Sequence, residues 1–259
     1  MRPSTWLDSG RLALGTLTVL PAGVPSRVDR EVGKGAMVLA PAVGLLIGGL
    51  AAVLVALVHL VRPEADLLAA VLGVLVVAAL SGGLHLDGLA DFADALGSRR
   101  DRETMLRIMK QSDIGPFGVV AIVGVLLFDV AALTACLQAG RGWQAILIAT
   151  TVSRLTLPWS CRTSVPAARP DGLGSYVAAT IRPATATLVS VVVLAVVTVL
   201  SWLSSAHVIG AAAAVLLAVA VAFLTSHRAR TALGGTTGDV LGATVELALP
   251  VALLALALG

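Results

Sequence analysis

Residues 36–61 read AMVLAPAVGLLIGGLAAVLVALVHLV, an apolar run without one formally charged side chain. A bilayer crossing takes about 20 such residues, so this stretch predicts a membrane span. The rest of the chain repeats the pattern. Of its 259 residues, 58% are hydrophobic and only 13% charged, against about 25% charged in an ordinary soluble domain. The predicted fold class is therefore all-α: a polytopic integral membrane helical bundle of about seven spans plus interfacial helices, forming a single domain over residues 1–259.

Before the first run, residues 12–24 are mostly apolar but too short to span. They predict an interfacial or re-entrant helix ending near Pro21 and Pro25, so residues 1–35 read as an interfacial N-terminal segment. After it, the turn Arg62-Pro63-Glu64-Ala65-Asp66 leads to further predicted spans at about 67–86, 114–139, 143–161, 184–204, 207–226 and 240–258. Three polar connections separate them: an Asp-rich segment (87–113), a charged loop with Arg162, Arg169, Asp171 and Arg182 (162–183), and a Gly/Thr loop (227–239). With the N-terminus in the cytoplasm, 15 of the 18 Lys and Arg fall on the cytoplasmic side and two, Arg62 and Arg141, on the other. Arg154 lies inside a span. That bias follows the positive-inside rule and predicts a multi-pass protein of the cytoplasmic (inner) membrane with its polar motifs facing the cytoplasm.

Composition also excludes. Aromatic residues make up 3% of the chain, too few for a base-stacking platform, so no nucleic-acid partner is expected. The net charge of +3 is explained by topology. Cys136 and Cys161 form neither a disulfide framework nor a zinc motif. Asp8 and Arg11 interrupt the N-terminal run, so no cleavable signal is expected. The absence of an internal repeat argues against an inverted-repeat transporter. A homo-oligomer is left open.

The chemistry begins where the second predicted span ends, at SGGLHLDGLADFADALG (residues 81–97). Asp87, Asp91 and Asp94 stand at offsets 0, 4 and 7, on one face of a helix. Like charges at that spacing repel, and a hard divalent cation with oxygen ligands is the natural counter-charge. A solvated acidic face is the plain alternative. The second cluster runs from Thr231 to Glu246 and contains Gly235-Thr236-Thr237-Gly238-Asp239. A Gly/Thr loop opening a helix is an anion site, because free N–H groups and the helix dipole favour phosphate. Asp239 suits an N-cap. Glu246 shares its face, and a carboxylate inside a span is costly and usually functional. The plain alternative is a flexible turn, a cap and a structural pair.

Lys110, before the break at Gly115-Pro116, is placed to meet an anion at the membrane surface. Arg154 must face the bundle interior, either paired with Glu246 or Asp129 or reaching a phosphate with its fork. Asp129 reads as a structural partner. His85 is a base, a hydrogen-bond donor or a core residue; His59, His207 and His227 read as interface residues. Mg²⁺-binding carboxylates, an anion-binding loop and a few basic groups are the parts of phosphoryl transfer.

The run Gly82-Gly83-Leu84-His85-Leu86-Asp87-Gly88-Leu89-Ala90-Asp91, followed by Asp94, resembles the signature of the cobalamin synthase family. Gly235-Thr236-Thr237-Gly238-Asp239-Val240-Leu241-Gly242-Ala243 with Glu246 does so too. Ser153-Arg154, Ile114-Gly115-Pro116-Phe117-Gly118, Leu17-Thr18-Val19-Leu20-Pro21 and Pro41-Ala42-Val43-Gly44 fall in the family's order. The resemblance covers about residues 10–250. It implies a Mg²⁺-dependent transferase of the last assembly stage of the cobalamin nucleotide loop. That enzyme joins adenosylcobinamide-GDP to α-ribazole or its 5′-phosphate and releases GMP. It further implies Asp87, Asp91 and Asp94 as metal ligands and Asp239, His85 and Arg154 as catalytic. Lys110, Gly235, Thr236, Thr237, Gly238 and Glu246 would bind substrate. Two departures stand out: Gln111-Ser112-Asp113 replaces an Asp-Ser-Arg run, and Ala95 follows Asp94 where Gly is common. Alternative readings are another diphosphate transferase (CDP-alcohol phosphotransferase or prenyltransferase type) or an ion transporter using Asp129, Arg154 and Glu246.

Overall fold

The structure is a computed structural model and describes residues 3–203 and 208–259. The Ser-rich turn between the fifth and sixth predicted spans, with His207, lies outside the described residues. Within them the chain is helical, with two isolated β-bridges and no strand.

Helix α1 (Pro3–Leu17) packs on α2 (Arg30–Val61). It starts well before the predicted helix at 12–24, whose second half is non-helical. Two buried polar residues fix it: Ser9 donates to the Val32 carbonyl at 3.1 Å, and Asp8 accepts from the Ser26 amide and hydroxyl. Asp29 caps α2 by accepting from the Glu31 and Val32 amides. The helix stops before Pro63, since a residue preceding proline is steered out of the α region. Against α2 lies α7 (Gly142–Arg154). Their axes meet where Gly44 and Gly48 touch Thr150 and Thr151, the close approach that small residues spaced four apart allow between membrane helices.

The second predicted span is interrupted. α3 (Asp66–Leu80) ends at Ser81, and α4 (Leu84–Gly97) leaves at 87° to it. Gly82 and Gly83 have φ of +65° and +69°, a left-handed region glycine enters without steric cost. The Val19 amide bonds the Leu80 carbonyl at 2.8 Å, satisfying part of the open helix end. The acidic stripe thus lies on the second arm of a bent pair, packed against α6 and α12. α5 (Arg102–Ile108) follows it, capped by Asp101.

The remaining long helices are α6 (Pro116–Gln138), α10 (Pro183–Leu203), α11 (Val208–Leu233) and α12 (Gly238–Leu258); the short α8 (Thr156–Ser160) and α9 (Leu173–Val177) precede α10. Among the described residues five helices, α2, α6, α10, α11 and α12, are long and apolar enough to cross a membrane, or six counting the bent α3–α4 pair as one. The predicted span at 143–161 corresponds to α7 and α8, broken at Leu155. At 13 residues and 1.5 Å rise, α7 is about 20 Å long, short of a bilayer by itself. Leucines and valines such as Leu127, Leu188 and Leu216 lie exposed along the outer faces of α6, α10 and α11, which suits hydrocarbon rather than water. α12 is the most enclosed span, packed against α4, α6, α7 and α11.

The Gly/Thr loop is shorter than predicted. Residues 227–233 continue α11, because the sequence HRARTAL contains good helix formers and no glycine. Gly234, at φ +79°, ends it, leaving residues 234–237 as the loop.

Candidate active site

The loop before α12 is clamped by the 162–183 segment. Ala168 N–H donates to the Thr236 carbonyl and Thr236 N–H to the Pro166 carbonyl, at 2.9 and 2.8 Å. Gly235 fits against the Pro166–Ala167 backbone, where a Cβ would clash. Arg102 adds a brace, with Nε to the Leu233 carbonyl at 2.7 Å and Nη2 to the Ala168 carbonyl at 2.9 Å. Gly235 is therefore a position where only glycine lets the loop close on the 162–183 segment.

Thr237, not Asp239, is the N-cap of α12: its hydroxyl oxygen accepts from the Val240 amide at 3.2 Å. Asp239 sits in the first turn. Its Oδ2 accepts from Arg169 Nη2 at 2.8 Å and from the Thr237 hydroxyl at 3.1 Å. Asp239 Oδ1 and the Gly238 and Asp239 amides have no hydrogen bond among the described residues, as expected of a helix start facing a cavity.

Across from this turn lies α4. A Cβ at Gly88 would stand 2.7 Å from the Asp239 carbonyl oxygen, and one at Gly242 3.1 Å from His85 Cα. The two glycines let the helices touch. Asp239 is thereby set against the stripe between Asp87, which is exposed, and Asp91, half-buried one turn further on. Asp91 has Asp87, Asp239 and Asp94 as charged neighbours, with Arg169 the opposing charge. The face is thus short of positive charge.

A cavity of about 320 Å³ opens beside the contact, lined among others by His85, Lys110, Arg169, Thr236, Thr237, Gly238 and Asp239. Lys110 Nζ pairs with Asp171 at 2.9 Å on its rim, a bond that holds the Asp171 carboxyl below the usual range. Among the described residues no three His, Cys, Asp or Glu side chains form a ready-made metal cage. Asp87 and Asp91 nevertheless fit Mg²⁺, which is usually held by one or two carboxylates with waters and substrate phosphates completing the octahedron.

Three predicted residues stand elsewhere. Asp94 is engaged by α6: its two oxygens accept from the Gly115 and Gly118 amides at 2.7 and 2.9 Å, anchoring the start of that helix. Arg154 is fully buried among α6, α7 and α12, with Nη1 on the Ser153 hydroxyl at 3.0 Å; it does not reach the cavity. Glu246 is likewise interior, its Oε1 3.7 Å from His85 Nδ1 behind the cavity wall. Asp129 is buried nearby. Conversely, sequence reasoning had Arg169 and Asp171 only as loop charges. The signal that could have marked them is a loop of some twenty residues carrying charges on the same side as both motifs.

Fold and site together define a multi-pass α-helical membrane protein with a polar, phosphate-compatible site at one end of the bundle. The family model for cobalamin-5-phosphate synthase matches residues 9–257, so this chain belongs to that family, whose members are transferases of cobalamin synthesis. It is 40% identical to an adenosylcobinamide-GDP ribazoletransferase of Frankia casuarinae over 96% of this chain and 94% of the relative. Identity is 39% to the proteins of that name in Ectopseudomonas mendocina (96% and 98% covered) and Pseudomonas aeruginosa (97% and 98%). No solved structure matches the chain.

Proposed function

We propose that this chain is a Mg²⁺-dependent transferase of the cytoplasmic membrane that joins adenosylcobinamide-GDP to α-ribazole or its 5′-phosphate and releases GMP. The names of its relatives support the substrates. The observation that carries the reading is the Gly88–Asp239 contact, which sets the helix carrying the acidic stripe directly against the anion-binding start of α12.

Asp87 and Asp91 hold the metal. When bound, Mg²⁺ supplies neutralisation of the diphosphate and stabilises the leaving phosphate. The Gly238 and Asp239 amides, with Lys110 and Arg169 on the cavity wall, receive phosphate oxygens. The ribazole hydroxyl oxygen bonds to the cobinamide-side phosphorus as the bond from that phosphorus to the GMP oxygen breaks. Asp239 Oδ1 takes the hydroxyl proton, its other oxygen being held by Arg169. Arg154 and Glu246 act from behind the wall, keeping His85 and the first turns of α12 in place. The distribution of Lys and Arg supports a cytoplasmic N-terminus and a cytoplasmic site.

Purified protein with Mg²⁺, α-ribazole and adenosylcobinamide-GDP should release GMP and form cobalamin, and EDTA should stop both. GMP release undiminished in an Asp87→Asn, Asp91→Asn double variant would remove the metal assignment. Ion flux in proteoliposomes without turnover would replace the reading with a transporter.

A further inference from the structure

Arg162, just after α8, is only 7% exposed. Its guanidinium stacks over the Phe223 ring at 4.2 Å. Nη1 donates to the Trp159 carbonyl at 2.7 Å and to the Ser226 hydroxyl at 3.4 Å. Nε and Nη2 make no hydrogen bond among the described residues, yet they are not sealed in. No ion pair among those residues includes Arg162. A buried arginine without a carboxylate is costly unless something else supplies the negative charge.

The neighbourhood makes the deficit larger. Phe223, Ser226 and Arg230 lie at offsets 0, 3 and 7, along one face of α11. The field of Arg230, after burial itself, presses Arg162 below the ordinary guanidinium range. Arg182 follows Ile181, the residue bridged to Arg162. Between Thr156 and Leu233 the sequence contains a single acid, Asp171, and Lys110 occupies it.

Below the guanidinium the surface turns apolar. The Trp159 and Phe223 rings stand 5.3 Å apart, and Trp159 Nε1 bonds Ser190 of α10 at 2.9 Å. Phe223 is 42% exposed and is followed by the exposed Leu224, on a span that faces the bilayer. Arg162 is not on the wall of the substrate cavity. A positive site above a lipid-facing aromatic column matches a ligand with an anionic head and an apolar tail.

We propose that Arg162 and Arg230 bind the phosphate of an anionic phospholipid headgroup, with the lipid's acyl chain lying along Trp159 and Phe223. A soluble phosphate has no use for the exposed ring beneath the charge, whereas a lipid fills both parts.

Native mass spectrometry of the full-length protein, with phosphatidylglycerol and phosphatidylcholine offered together, tests this. Wild type should retain phosphatidylglycerol preferentially, and its melting temperature should rise with that lipid. Arg230→Gln, on an exposed position that should tolerate it, should weaken retention about five-fold, the worth of one arginine at a lipid surface. Arg162→Gln should weaken it further, while Arg100→Gln on the α4–α5 connection should leave it unchanged. Wild-type retention by folded Arg230→Gln would overturn the proposal. So would an equal melting shift from inorganic phosphate, which would make the site one for free anions.

Discussion

Arg169 and Asp239 form an ion pair at 2.8 Å that ties the 162–183 segment to the first turn of α12. The pair lies on the cavity wall, so it both positions Asp239 Oδ1 and places a guanidinium where the proposed phosphate site needs positive charge. Arg169→Ala leaves that carboxylate without its charged partner, worth about 1.5–3 kcal/mol. The rate of GMP release should fall about 10- to 100-fold, with the protein still inserted. Arg169→Lys should recover only part of the loss, because a point charge does not reproduce the planar fork.

Asp94 should behave unlike its neighbours on the stripe. Its carboxylate anchors α6 through two amides, so Asp94→Ala should cost about 2–3 kcal/mol of stability and lower the melting temperature in detergent. Asp87→Asn, on an exposed position, should abolish turnover with melting unchanged. Equal melting losses in both variants would contradict this division of labour.

Gly88→Ala introduces a methyl group 2.7 Å from the Asp239 carbonyl oxygen. Backbone cannot give way as a flexible side chain does, so α4 and α12 must separate, at about 1–3 kcal/mol and with loss of activity. Gly49→Ala, in α2 with nothing within 4 Å of the added carbon, should be neutral or stabilising. Parallel melting curves and GMP assays distinguish the two.

The N-terminal segment has its own acid sensitivity. Hydrogen bonds from the Ser26 hydroxyl and amide, with smaller help from Arg11 and Arg27, hold the Asp8 carboxyl below the usual range. A lowered folded-state pKa adds stability above the unfolded value of 3.8 and loses it as pH falls through the folded one. Asp8→Asn should therefore melt lower than wild type at neutral pH, and the gap should close as the pH is taken below about 4.

The spans were legible because uncharged apolar runs leave few alternatives in a membrane. The break at Gly82-Gly83 was not, since hydropathy runs straight through two glycines whose positive φ appears only in three dimensions. The end of α11 was misplaced for the opposite reason: polar residues suggested a loop where helix propensity continued. That Asp87 and Asp91 share one helical face and that a polar turn opens α12 could be read from helical phase and helix-end chemistry. Phase also grouped Asp94 with them, but an angle on a helix does not say which neighbour waits there, and the amides of α6 claim it. Arg169 was hidden because its partner is 70 positions away and a solitary loop arginine has no period. Arg154 was correctly placed inside the bundle, but its reach ended at Ser153.

The contact at Gly88 joins the middle of the chain to its last helix. Without α12 in place, the acidic stripe on α4 lacks the wall opposite it. Its carboxylates face one another without the Thr237–Asp239 turn, and the cavity has no floor. The arrangement that the proposed reaction needs therefore exists only once α12 has packed against α4.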